Sequence, residues 1–160
     1  MEILNDFDTS VRRALEEINN KYFRLPGLVV CGTHNPHDME KLIEAIKWAR
    51  ERRKPYLGIC FGHQLAAIEY ARNVLDIRDA TSEEWGQGTF IVKKRPEGLY
   101  IGLHNGETYW NNYEVDSGFE GKWDKPSHFI TMQYHPEYES FKGNPHPKLI
   151  EFIELCQRSV

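Results

Sequence analysis

No apolar run in this sequence is long enough to cross a membrane. Met1-Glu2-Ile3-Leu4-Asn5-Asp6 has neither the basic start nor the apolar centre of a secretory leader. Cysteine is scarce. Cys31, Cys60 and Cys156 stand far apart and none sits in a C-x-x-C, which argues against a disulfide framework and a structural zinc site and fits a reducing cytoplasm. No G-x-x-x-x-G-K-S/T occurs to cradle a nucleotide phosphate. Strong charge of one sign is missing as well. With a net charge of −4 and a pI near 6.0 there is no electrostatic basis for binding nucleic acid. Lys93-Lys94-Arg95 and the basic run at 50–54 read as short solvated clusters. With no repeat, low-complexity tract or linker, residues 1–160 read as a single soluble domain, long enough to bury a core.

What the sequence does contain is organised around Pro55-Tyr56-Leu57-Gly58-Ile59-Cys60-Phe61-Gly62-His63-Gln64-Leu65-Ala66. Tyr56 to Ile59 has the residue types of a buried strand. From Leu65 onward, Leu65, Ala66, Ile68, Glu69 and Arg72 recur at helical spacing. Between the two lies Gly58-Ile59-Cys60-Phe61-Gly62, a G-x-C-x-G. It has the form of a strand–turn–helix elbow, which presents a nucleophile on a strained backbone between residues lacking side chains. A thiol there meets the N-terminus of a helix, whose free N–H groups and dipole favour thiolate. A βα turn with two packing glycines and an inert buried cysteine fits the pentapeptide equally well.

The rest of the chain alternates strand and helix. A short strand is expected over 1–4, a helix over 11–19 with N-cap candidates at Asp8, Thr9 and Ser10, and a buried strand over 28–31. A polar loop with His34, Asn35 and His37 leads to a helix over 39–53. This order predicts an α/β fold with a mainly parallel central sheet flanked by helices. After Arg72 a loop over 80–85 precedes an antiparallel β excursion, with strands expected over 89–93, 99–103 and 108–113. A strand over 129–134 runs into His135-Pro136-Glu137, and a last helix spans 147–156. Proline stiffens that tripeptide, so Glu137 can orient an imidazole that activates a thiol.

The elbow at Cys60 paired with His135-x-Glu137 resembles the class I, triad-type glutamine amidotransferases. Within them it is similar to the glutaminase domains of CTP synthases. Residues 43–50, 55–72, 80–85, 113–115 and 133–140 carry the closer likeness, which extends from about Leu28 to the C-terminus. The resemblance implies a three-layer α/β fold. It implies Cys60 as a nucleophile forming a thioester, His135 as base and then acid, and Glu137 as orienter. The oxyanion hole would use backbone N–H groups of Phe61 and of Gly32 or Thr33. Gln64, Glu84 and Tyr113 match positions around the substrate's amino-acid head, and His34 is a further candidate contact. No cofactor or metal is implied. A small-molecule amide is the expected partner, with a separate ammonia-accepting synthetase subunit or a homo-oligomer left open.

Three departures stand out. Gly32-Thr33-His34-Asn35 replaces the family's Gly-Gly-Phe-Gly. Asn112 occupies the place of an arginine that clamps the substrate's α-carboxylate, and an amide lacks that charged fork. The N-terminus is shortened, with too few residues before Leu28 for the usual first βα unit. The expected activity is release of ammonia from glutamine or a related small carboxamide. A different γ-glutamyl or amide substrate, read by Trp110 and Asn112, is the alternative. A catalytically idle binding module is a third, against which the intact Cys60, His135 and Glu137 weigh. His63 is expected to pack the elbow, and His104, His128 and His146 to lie on the surface.

Overall fold

The computed structural model describes residues 1–160. Its elements run β1 (Glu2–Leu4), α1 (Asp8–Ile18), β2 (Leu28–Val30), α2 (Met39–Glu51), β3 (Tyr56–Ile59), α3 (Phe61–Asn73), β4 (Ala80–Ser82), β5 (Thr89–Lys94), β6 (Tyr100–His104), β7 (Glu107–Asn111), β8 (Tyr113–Val115), α4 (Ser117–Glu120), β9 (Phe129–Met132) and α5 (Pro147–Arg158). Tight 3-10 turns lie at Tyr22–Arg24 and Pro136–Glu139. The central sheet has the order β1-β2-β3-β9 and every pairing is parallel. The fold is therefore α/β, as expected. At the sheet edge β1 lies beside β2, with Glu2 opposite Leu28 and Leu4 opposite Val30.

Strand geometry explains why each strand reads as a continuous apolar run, because successive side chains point to opposite faces and both faces are covered. Leu28, Val30, Tyr56 and Phe129 pack on one side against Leu42, Ile43 and Ile46 of α2 and Leu65 and Ile68 of α3. Val29, Leu57, Ile59, Ile130 and Met132 face the other way, onto Val11 and Leu15 of α1 and Leu149, Phe152 and Ile153 of α5. Arg50 clamps α2 to α3 through Glu69, donating from Nε at 2.9 and 3.0 Å to a carboxylate whose side chain is 1% exposed.

The second half of the chain departs from the expected layout in instructive ways. Residues 80–82, expected in a loop, form β4 and pair in parallel with β5, with a register shift between Thr81 and Ser82. Ala80, Thr81 and Ser82 are all buried, although their types do not read as a strand. The strand expected over 108–113 is two strands. β7 pairs with β6 in a hairpin, β8 pairs with β5, and the chain changes partner at Asn112, whose carbonyl accepts from the N–H of Arg95 at 2.8 Å. Helix α1 begins at Asp8 without a side-chain cap. Phe7 holds the cap position, and Asp8, in the first turn, pairs with Arg12 at 3.0 Å. His146, expected at the surface, is 7% exposed; its Nδ1 accepts from Lys148 N and its Nε2 lies 2.9 Å from Glu107.

Candidate active site

Cys60 caps the N-terminus of α3 with φ 53° and ψ −101°, a positive-φ backbone that a non-glycine residue adopts only under constraint. The constraint is visible in its neighbours. A Cβ at Gly62 would collide with the carbonyl oxygen of Val30, and one at Gly58 would lie 2.9 Å from the backbone of Gly62. Both elbow glycines are thus required by close approach. The buried Tyr56 hydroxyl donates to Gly62 O at 2.8 Å and ties the strand before the elbow to the helix after it. The Cys60 N–H donates to Met132 O at 2.9 Å, which fixes the cysteine beside the end of β9.

Beyond the end of β9 the chain delivers His135 and Glu137, 1% and 0% exposed. The ring Nδ1 of His135 lies 2.7 Å from Glu137 Oε1. Arg13 of α1 donates to the carbonyls of Glu137 at 2.9 Å and Ser140 at 3.1 Å, holding the 3-10 turn against α1. The imidazole and the cysteine meet over Gly32, where a Cβ would fall 2.7 Å from His135 Cε1 and 3.5 Å from Cys60 Cβ. Burial by itself lowers the pKa of His135. Its interactions with Cys60 and Glu137 outweigh that and raise it to about 10. The other histidine of the elbow behaves oppositely. His63 is buried against Trp123 with Nδ1 3.0 Å from Thr131 Oγ1, and burial, aided by Lys125, lowers its pKa to about 3.

A cavity of about 240 Å³ opens at Cys60. Its walls bring together Thr33, His34, Phe61, Gln64, Glu84, Asn112 and Tyr113, residues from four separate stretches of the chain. Gly32 lies behind, under the imidazole. The N–H groups of Gly32 and Thr33 donate to no backbone carbonyl, and Phe61 N–H belongs to the first turn of α3, where intrahelical partners are lacking. Gln64 Nε2 donates to Tyr113 O at 2.9 Å and to Gln133 Oε1 at 3.2 Å, so its role includes bracing β8. Glu84 is half-buried and its pKa is raised by burial. Thr33 Oγ1 donates to Asp6 Oδ2 at 2.5 Å and caps its own turn by accepting from Asn35 N at 3.0 Å. The hydroxyl that replaces the second glycine is therefore occupied in shaping the loop.

Several residues at the site are not among the candidates named from the sequence. Phe7 touches the rings of His34, Trp110, His135 and Tyr138, with centroid distances from 5.2 to 6.4 Å. Gln133 Nε2 lies 3.4 Å from Cys60 Sγ, and Trp110 O lies 3.8 Å from it. Asn111 is 6% exposed, donates from Nδ2 to Tyr113 O at 3.0 Å, and leaves Oδ1 without a partner. Phe7 reaches the site through a tertiary contact far along the chain, whereas Gln133 lies two residues before His135 and Asn111 lies between Trp110 and Asn112, both already candidates. No three His, Cys, Asp or Glu side chains converge as a metal set.

A family model described as glutamine amidotransferase class-I matches residues 7–155. The chain belongs to that family. Among curated relatives, the CTP synthase of Methanoculleus marisnigri is 32% identical over 180 residues, covering 83% of this chain and 34% of its own length. That of Thermosipho africanus is 31% identical over 187 residues, covering 82% and 36%. The chain therefore spans about a third of the length of these relatives. Among solved structures, the glutaminase domain of Trypanosoma brucei CTPS with bound acivicin superposes with a TM-score of 0.73 at 17% identity. That match covers 98% of this chain and 92% of the other, and it establishes the shared fold.

Proposed function

We propose that this amidotransferase domain hydrolyses the carboxamide of glutamine or a related small amide, with Cys60 as nucleophile. Cys60 Sγ attacks the carboxamide carbon, and the oxyanion is held by N–H groups of Phe61 and of Gly32 or Thr33. His135 takes the thiol proton and gives it to the leaving nitrogen, so the C–N bond breaks and ammonia departs. A thioester remains on Cys60. Water then attacks the thioester carbon and passes a proton to His135, the C–S bond breaks, and the carboxylic acid product leaves with the thiol restored. Glu137 keeps the imidazole oriented and balances its positive charge.

The observation that carries the reading is the meeting of a strained, helix-capping Cys60 with a buried His135–Glu137 pair across Gly32. An inert packing cysteine does not need a positive-φ backbone, two collision-bound glycines and a buried imidazole beside it. The likeness to CTP synthases supports a further part of the proposal: the ammonia is passed on to a synthetase active site. No helix of the structure is long and apolar enough to cross a membrane. The test is ammonia release from a panel of small carboxamides, glutamine included. The purified chain is expected to release ammonia from at least one, and Cys60→Ala to lose that activity with an unchanged thermal unfolding curve. Amidase activity surviving in a clean Cys60→Ala preparation would overturn the thioester route.

A further inference from the structure

The lining of the 240 Å³ cavity holds one carboxylate and no lysine or arginine. Glu84 is its only acidic side chain, and burial alone shifts its pKa, with no cation contributing. Asn111 also lines the cavity; its Nδ2 is committed to Tyr113 O and its Oδ1 is buried without a partner. Leu99, Trp110 and His34 also line it, the last two in contact with ring centroids 4.3 Å apart, and His34 packs on Phe7 at 5.2 Å.

The cations that could reach in are engaged elsewhere. Arg95 is joined to Asn112 through its backbone N–H, yet its side chain turns to Glu114 at 2.6 Å and lies over the ring of Tyr100 at 4.4 Å, lining a neighbouring cavity. Lys93 pairs with Asp116 at 3.2 Å and Arg78 with Asp76 at 3.0 Å. A ligand carboxylate in this cavity would lose water, meet no lysine or arginine and share the space with Glu84, leaving His34 as the one lining side chain able to carry a positive charge.

Building on the amide-hydrolase reading, we infer that the cavity selects a carboxamide bearing an amine but no carboxylate, as in 4-aminobutanamide or a glutamine whose α-carboxyl is masked as an ester. The amine pairs with Glu84, the neutral end packs against Trp110 and Leu99, and the carboxamide reaches Cys60. Free glutamine fits the same amine contact but leaves its α-carboxylate unpaired, which lowers its affinity roughly ten- to a hundred-fold.

Three probes separate the two ends of the ligand: glutamine, 4-aminobutanamide, which lacks the carboxylate, and 4-carbamoylbutanoate, which lacks the amine. They are compared by ammonia release on the wild type, Asn112→Arg, Glu84→Gln and Arg95→Gln, and by calorimetric binding to Cys60→Ala. The wild type is expected to favour 4-aminobutanamide over glutamine roughly ten-fold or more in kcat/KM. Asn112→Arg should reverse that order. Glu84→Gln should cost 4-aminobutanamide at least ten-fold and leave 4-carbamoylbutanoate unharmed, and Arg95→Gln should change none of these ratios. Glutamine preferred by the wild type, or a selective loss of glutamine in Arg95→Gln, overturns the inference. The binding arm keeps the two claims apart. If no amide is hydrolysed but Cys60→Ala still binds 4-aminobutanamide more tightly than glutamine, the hydrolase reading fails and the cavity assignment stands; if it does not, the assignment falls.

Discussion

The parallel sheet and the antiparallel excursion contribute to the same cavity in different ways. Strands β2, β3 and β9 are three or four residues long and buried between two pairs of helices, and the chain beyond their ends carries Gly32, Cys60 and His135. In the hairpin of β6 and β7, Ile101, Leu103 and Trp110 are exposed, and a methyl group added at Gly102 or Gly106 would meet nothing within 4 Å. That excursion supplies Trp110, Asn111, Asn112 and Tyr113 to the cavity wall. A rigid frame thus positions the reacting groups, while a more open one lines the part of the cavity that reads the ligand. Changes in the frame should abolish chemistry or folding, and changes in the excursion should alter preference.

The largest expected effect is on turnover. Glu137→Gln keeps a hydrogen bond to His135 but cannot balance an imidazolium, so kcat should fall roughly a hundred- to ten-thousand-fold. His135→Ala should be more severe. A fall in kcat/KM carried entirely by KM would contradict the orienting role and move Glu137 into the class of residues that merely hold the fold.

Next comes stability. Gly62→Ala drives a methyl group into Val30 O, inside the frame, and should cost about 3 kcal/mol or more. Gly102→Ala meets open space and carries only the strain of φ +97°, about 1 kcal/mol. Urea titrations of the two variants check this. Equal shifts in midpoint would erase the contrast between the two halves.

A third contrast distinguishes two histidines inside the frame. His63 has a folded pKa near 3 against an ordinary 6.5, so its contribution is present above about pH 6.5 and is lost as pH falls below that toward 3, at about 1.4 kcal/mol per pH unit. His135, raised to about 10, contributes in the opposite sense: fully below 6.5, and lost as pH rises through 10. His63→Gln should flatten the acid limb of a stability–pH curve and His135→Gln the alkaline limb. The same limb flattened by both would refute the assignment.

How far the sequence carried follows the same division. Apolar runs at β2, β3 and β9 and the periodicity of α2 and α5 were legible because those segments are buried by their own residue pattern. The elbow and the His-Pro-Glu were legible because strained turns and stiffened tripeptides leave local signatures. Strand β4 was not, since Ala80, Thr81 and Ser82 are strand only through their pairing with β5. Nor was the break at Asn112, where the partner strand changes at an Asn-Asn pair with no glycine or proline to mark it. Phe7 joins the site through contacts that no spacing in the sequence encodes.

The most direct measurement of the central claim is intact-mass spectrometry of the acid-quenched protein during turnover of a carboxamide substrate, followed by peptide mapping. Cys31 and Cys156 are fully buried and burial raises both pKa values, Cys156 to about 12, so neither competes as a nucleophile. A substrate-derived acyl group confined to the Cys60 peptide, removed by neutral hydroxylamine and absent from Cys60→Ala, is the predicted result. Ammonia release with no acyl group on Cys60 under single-turnover conditions, or the group on another residue, would contradict it.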